Sequence, residues 1–431
     1  MPPAVASGLL AMESFTESVK AQLENGDGEK GELSYIGHSR IRDVFARLDE
    51  EGQEGLLRRL GILLKSYSQG GDAAAQLAGD RFGLLHDPNL DPKTVAGQIT
   101  EFVRHADPKG VGVAVKTNTV GVESLDLKGE DAAQAVVYSI QRVAQAAPGT
   151  DISKVLSSDL QEQVHKAADK IAVVKSVIAS KEFDVAYQAI VSLEDRAPHH
   201  YEALLRMQEN GPKMRQFEFV CFAEEVGQIT EFDLAMCEKV INRMIPAAER
   251  GDVLPVAVNI SRRSIDSEAF IEKLRALLAD NESVKGSIMF EITETARISN
   301  LDRANAAIQA LREDGFHVCL DDFGAGESAF EYLRELEVDY VKIDGKYVKD
   351  ATNSEKDRAF LKAMSGLCND LDIATIAEFI ETEETVTLLK DCGVAYGQGY
   401  LFHEPDVAAD PSGDINKPQN LKRKGEVESW R

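Results

Sequence analysis

The stretch His317-Val-Cys-Leu-Asp-Asp-Phe-Gly-Ala-Gly326 sets the reading of this chain. Its apolar run has the length and composition of a buried strand. It ends in two adjacent carboxylates, Asp321 and Asp322, before a glycine turn that lets the backbone leave sharply. Side-by-side acids repel unless a cation neutralises them, and a divalent metal is the usual partner. Carboxylate pairs also sit on solvated loops, so this one takes its meaning from its surroundings.

Working outward, apolar runs with β-branched residues recur at Phe183–Leu193, Tyr201–Leu205, Leu254–Ile260, Ser287–Thr293, Tyr340–Ile343, Ala374–Phe379 and Ala395–Phe402. Helix-period segments lie between most of them: Ser264–Ala279, Leu301–Glu313, Ser354–Leu371 and Thr382–Lys390. Eight strands alternating with helices predict an α/β fold, a (β/α)8 TIM-like barrel. The alternative, a doubly wound open sheet, would carry a glycine-rich phosphate loop after its first strand, and the sequence has none.

Polar residues gather near the C-terminal ends of these runs: Glu202, Asn259, Glu291, Asp321 with Asp322, Lys342, Glu378 and Gln398. In a barrel these ends converge on one mouth, the face that carries catalysis. Carboxylates and an amide oxygen are hard donors, suited to Mg²⁺ or Mn²⁺. A carboxylate shared between two metals about 3.5–4 Å apart is a standard device for phosphodiester hydrolysis. Taken singly, each residue also reads as a strand-end salt bridge or helix cap, and Lys342 as a partner of Asp344. His199-His200 reads as an exposed turn pair rather than a ligand pair.

Composition narrows the function. A chain of 431 residues has room for two domains, and 43% hydrophobic content supports packed cores. The net charge of −25, from 73 acidic and 48 basic residues, argues against a nucleic-acid polymer as partner. A small phosphorylated substrate stays open, because bound metal inverts the local sign. No apolar stretch reaches the roughly 18 residues of a membrane span, and the N-terminus lacks the pattern of a secretory signal. Five scattered cysteines without CxxC spacing fit reduced thiols in a cytoplasmic protein.

Read in order, Glu202-Ala-Leu-Leu-Arg206, Val258-Asn-Ile-Ser261, Phe290-Glu-Ile-Thr-Glu294, Asp321-Asp-Phe-Gly-Ala-Gly326, Val341-Lys-Ile-Asp344, Ala377-Glu-Phe-Ile-Glu381 and Gln398-Gly-Tyr-Leu-Phe402 resemble the EAL domain, the barrel phosphodiesterase that linearises cyclic di-GMP. The resemblance implies that Glu202, Asn259, Glu291 and Asp321 hold one of two ions (Mg²⁺ or Mn²⁺), and that Asp321 bridges to a second, ligated also by Asp322. It implies that Lys342 and Glu378, with Glu202, serve catalysis by orienting and activating the attacking water. Gln188, Leu204, Arg206 and Gln398 then contact substrate or support that end of the site, a planar guanidinium at Arg206 suiting a phosphate. Glu294 is expected to tether the loop after the Asp-Asp pair, and a homodimer is expected. The chain departs from the family pattern at Ala325, Glu327, Met207, Ala189 and Phe379. Losing the family's threonine hydroxyl at Ala325 removes one hydrogen bond, worth about 1 kcal/mol, so the second metal site or the dimer coupling is expected to be weakened. Phe379, in place of a glycine, puts a bulky group beside Glu378.

The N-terminal region reads as a strand at Leu33–Ile36, helix over Arg40–Lys65, and a tight turn entering a strand at Ala78–Leu85. It resembles a degenerate GGDEF domain, with Ala78–Phe82 at the signature and Ser7–Phe15 echoing the segment that opens that domain. Arg81 stands at the signature glutamate, Gly37-His38 where the first strand supplies an aspartate, and Gln69-Gly-Gly-Asp72 at the inhibitory motif. A cationic Arg81 would repel Mg²⁺, so a regulatory or dimerising role with an unknown protein partner is expected rather than cyclase activity. An unrelated α/β domain is the alternative. The expected plan is 1–150 GGDEF-like domain, 151–180 linker helix (apolar at Val164, Ala167, Ile171, Val174 and Ile178), 181–405 EAL barrel and 406–431 disordered tail. The functional expectation is metal-dependent hydrolysis of cyclic di-GMP to pGpG. A non-catalytic receptor or a protein-binding scaffold on the same barrel are the alternatives.

Overall fold

The structure is a computed structural model. It describes residues 7–24, 31–37, 41–78, 80–113, 115–121, 130–145, 160–208, 211, 214–250, 254–293, 301–324 and 329–409. The chain packs as two compact units, Met1–Val174 and Lys175–Arg431. No helix among the described residues is long and apolar enough to cross a membrane.

In the first unit, β1 (Glu32–Gly37), β2 (Ala74–Ala78), β3 (Arg81–His86) and β4 (Lys116–Gly121) form an antiparallel sheet in the order β2-β3-β1-β4. Leu56, Leu60 and Leu64 on the helix Glu50–Tyr67, and Val95, Ile99 and Val103 on Pro92–Ala106, pack with Ile36, Phe82 and Leu84 in one core. Both helices start on an aspartate, Asp49 and Asp91, whose side chain accepts an orphan backbone N–H. The expected helix over Arg40–Lys65 is broken in two, Ile41–Phe45 and Glu50–Tyr67.

The second unit is a closed barrel of β5 (Phe183–Ser192), β6 (Pro198–Met207), β7 (Val256–Ile260), β8 (Ile288–Thr293), β9 (His317–Phe323), β10 (Tyr340–Ile343), β11 (Ala374–Ala377) and β12 (Tyr396–Gly397). Each expected apolar run supplies one strand. One feature departs from a (β/α)8 barrel: β5 runs antiparallel to both neighbours. Only five residues, 193–197, join β5 to β6. Such a connection makes a hairpin and is far too short for the crossover that parallel strands require. Ile190, Cys319 and Ile376 fill the barrel interior, with Tyr340 and Tyr396 against them.

Two expectations need correction here. His199 and His200 lie on β6 rather than an exposed turn; His200 is fully buried, and its Nδ1 meets that of His199 at 2.7 Å. Burial pushes both imidazole pKa values down, so the pair stays neutral. The start of the supposed tail is ordered: Asp406 exchanges two backbone hydrogen bonds with Tyr187, and Ala409 is buried. Arg81, at the position compared with the GGDEF signature glutamate, makes an internal contact. It is buried, and its Nη1 donates to the carbonyl of Val143 at 2.8 Å. The apolar positions of the helix Leu160–Ser180 are buried as its period predicts.

Candidate active site

Register brings the polar residues together. Gln188 on β5 is paired with Glu202 on β6, Asn259 on β7 with Glu291 on β8, and β9 and β11 flank Lys342 on β10. The ammonium of Lys342 lies at the centre. Its Nζ is 3.0 Å from Glu378, 3.1 Å from Glu291, 3.2 Å from Glu202 and 3.4 Å from Asp321. The plainer pairing of Lys342 with Asp344 does not occur: Asp344 caps the helix Gly345–Asn353, accepting from the Lys346 amide.

The amides hold one carboxylate. Asn259 Nδ2 donates to Glu202 Oε1 at 2.8 Å and Gln398 Nε2 to Glu202 Oε2 at 2.7 Å. Gln188 accepts from Gln398 and donates to the His403 carbonyl. Gln188, expected to contact substrate, is buried and linked to Glu202 through Gln398. Leu204 and Arg206 line a cavity of about 450 Å³ beside Asn259, with Phe217, Asp233 and Met236.

One lysine cannot offset four ionised acids, and burial answers by favouring the protonated form of three of them. Burial drives the Glu378 carboxyl up to about 8, against the pull of Lys342 and with the push of Asp321 and Glu202. Burial likewise raises Asp321 to about 6, and carries Glu291 well above the carboxylate range. Burial also works against the charge on Glu202, but Lys342 and the two amide donors outweigh it and hold that carboxyl low. Lys342 loses hydration by burial, yet the four acids keep it firmly protonated.

The backbone at the acid pair is irregular. Leu320 pairs with Val341 and Phe323 with Ile343, so Asp321 and Asp322 together oppose Lys342 alone. Asp322 takes φ +56°, the left-handed region. Successive strand residues ordinarily face opposite sides; the bulge re-aims the extra one. As a result, one oxygen each from Asp321, Asp322 and Glu378 lie within 4.8 Å of one another. Phe379 also has φ +55°, costly for an aromatic, and its side chain rests over Gly345.

A divalent ion fits this donor set. Glu291 Oε1 is buried without a hydrogen-bond partner among the described residues, Asp321 Oδ1 has the Lys342 ammonium at 3.4 Å but no hydrogen bond, and hard oxygens crowd around them. Glu294, Ala325 and Glu327 lie outside the described residues. Sequence reasoning missed Asp233. Buried on the helix Ile229–Ala248, it accepts from the Ser261 amide at 2.8 Å and the Ser264 hydroxyl at 2.7 Å, fixing the turn that follows Asn259. An acid amid Ile229, Phe232, Met236 and Cys237 on one helix was the available signal.

The sequence family agrees with this geometry. The profile of the EAL domain matches residues 172–405, more than half of the chain, and the chain belongs to that family. The cyclic di-GMP phosphodiesterase PdeB of Shewanella oneidensis is 32% identical over 271 residues, 62% of this chain and 32% of the relative. The cyclic di-GMP phosphodiesterase NbdA of Pseudomonas aeruginosa is 24% identical over 413 residues, 93% of this chain and 52% of the relative. The chain spans about half or less of the length of these relatives. Among solved structures, the FimX EAL domain of Pseudomonas aeruginosa bound to c-di-GMP superposes with TM-score 0.51 at 26% identity. That match covers 56% of this chain and 97% of that one.

Proposed function

We propose that this chain is a cytoplasmic phosphodiesterase that hydrolyses cyclic di-GMP to linear pGpG. The observation that carries the reading is Lys342 at the centre of Glu202, Glu291, Asp321 and Glu378, with a second, overlapping acidic cluster made where Asp322 joins Asp321 and Glu378. In this reading Glu202, Asn259, Glu291 and Asp321 hold one Mg²⁺ or Mn²⁺, and Asp321, Asp322 and Glu378 a second. Bound there, such ions lower the pKa of water and offset charge on the phosphoryl oxygens.

The chain's own groups do the rest. Glu202 is held in one rotamer by Asn259 and Gln398, so its oxygens stay directed into the mouth. Lys342 keeps the acids from repelling one another apart, and Glu378 takes the proton of the attacking water. The water oxygen forms the new bond to phosphorus, the P–O3′ bond breaks, and the departing 3′-oxygen ends protonated. Arg206, on the cavity wall with Leu204, receives a phosphate oxygen.

The N-terminal unit serves as a degenerate GGDEF-like regulatory region, a reading that rests on the resemblance of Ala78–Phe82 to that domain's signature. The chain acts as a homodimer, for which exposed Phe360, Leu367 and Leu371 share one side of the helix Glu355–Asp370 and its end; sedimentation velocity tests this. A second reading, a receptor that binds cyclic di-GMP without cutting it, is favoured by Phe379 in a strained backbone beside Glu378. Incubation with cyclic di-GMP and Mn²⁺, followed by chromatography, separates the two. Release of pGpG that Glu202→Gln abolishes supports the enzyme; binding without product establishes the receptor.

A further inference from the structure

The two acids that face the mouth together do so only because the backbone between Leu320 and Gly324 is held in an unfavourable course. Asp322 has φ +56° and Gly324 φ +101°, on either side of Phe323. A non-glycine residue in the left-handed region persists when its surroundings over-determine it. Three contacts do so here. The Phe323 side chain is fully buried, and its carbonyl accepts from the Asp344 amide at 3.3 Å. The third contact comes from Tyr347, in the first turn of the helix Gly345–Asn353, whose hydroxyl donates to the Gly324 carbonyl at 2.7 Å.

The Tyr347 ring and Gly324 are fitted to each other. A Cβ built on Gly324 would stand 2.6 Å from Tyr347 Cε2 and 3.1 Å from Met364 Cε. The ring thus occupies the space that glycine leaves, and the hydroxyl reaches the carbonyl just beyond the bulge. The same turn begins at Gly345, against which Phe379 lies, so one helix start abuts both loops that follow the second acidic cluster. We propose that Tyr347 is a positioning residue for the Asp321–Asp322 pair: its hydroxyl holds Gly324, and thereby the left-handed turn that keeps the Asp322 carboxylate beside those of Asp321 and Glu378. The inference rests on the two-cation reading above. It assigns to Tyr347 the affinity of the second ion, the one that Asp322 ligates.

The test is a Mn²⁺ titration of the full chain followed by electron paramagnetic resonance. Wild type is compared with Tyr347→Phe, Tyr347→Leu and Asp322→Asn, with metal-free thermal melts of each. Tyr347→Phe keeps the ring and removes the hydroxyl. It should weaken the weaker Mn²⁺ site about fivefold, the equivalent of one neutral hydrogen bond, with an unchanged metal-free melting temperature. The Mn²⁺ concentration for half-maximal pGpG release should rise in step, while KM for cyclic di-GMP stays put. Tyr347→Phe binding Mn²⁺ as wild type does, with only Tyr347→Leu melting early, would overturn the proposal and leave Tyr347 as packing. If wild type and Asp322→Asn titrate alike, the two-cation reading itself falls, and the inference with it.

Discussion

Arg81 in the four-stranded unit and Lys342 in the barrel are both almost entirely buried, 2% and 1% exposed, yet their surroundings are opposite in kind. Arg81 spends a donor on a backbone carbonyl and has Asp80 at 3.6 Å, so its charge is balanced locally. Lys342 faces four carboxylates at 3.0–3.4 Å, more acids than one ammonium balances. A buried cation that is merely structural is matched to its partners. A site built to receive further cations is left short of them, and the shortfall separates the two units more clearly than fold does.

The sharpest way to break the contrast is Lys342→Met. Stranding four acids should lower the unfolding free energy of the barrel by roughly 3–5 kcal/mol and end pGpG release, read by denaturant titration and chromatography. A stable variant would mean that the acids do not depend on the lysine.

Asp233 is the barrel's own structural buried charge. Burial raises it to about 6, against the pull of the Ser261 and Ser264 hydrogen bonds. The folded state therefore keeps a proton that the unfolded chain releases from pH 3.8 upward. Its contribution to stability is full below that value, lost as pH climbs to about 6, and flat beyond. Asp233→Asn should remove this slope, gaining on wild type by up to about 3 kcal/mol at neutral pH and little at pH 4. Parallel pH–stability curves would show that the carboxyl titrates normally.

Arg81→Met should cost roughly 1.5–3 kcal/mol, the range for a charge-assisted hydrogen bond, and leave the turnover of cyclic di-GMP unchanged. A fall in turnover at equal folded fraction would erase the distinction between the two cations. The smallest effect is expected for Phe379→Gly. Relief of the left-handed backbone at a side chain 63% exposed should add about 1 kcal/mol of stability. A loss instead would mean that its contact with Gly345 outweighs the strain.

The apolar runs made the eight strands legible, because a buried strand needs a short continuous apolar stretch and little else. The polar residues closing those runs made the mouth legible for the same local reason. Gln188 fell within the β5 run, but its partners, Gln398 and the His403 carbonyl, were not legible because they lie more than 200 residues away. His199-His200 read as an exposed turn because polarity is a local property, whereas burial depends on the layers stacked above a residue.

By itself the sequence determined the family, the barrel and the set of acids, amides and lysine at its mouth. Tertiary structure alone decided that β5 runs backwards, that Glu202 is clamped by two amides, and that Asp322 turns inward beside Asp321. The physical reason is the two-residue period of a strand, which assigns neighbouring side chains to opposite faces. Among the described residues, contacts made from elsewhere in the chain, by Lys342, Asp344 and Tyr347, pin the bulge that overrides that period.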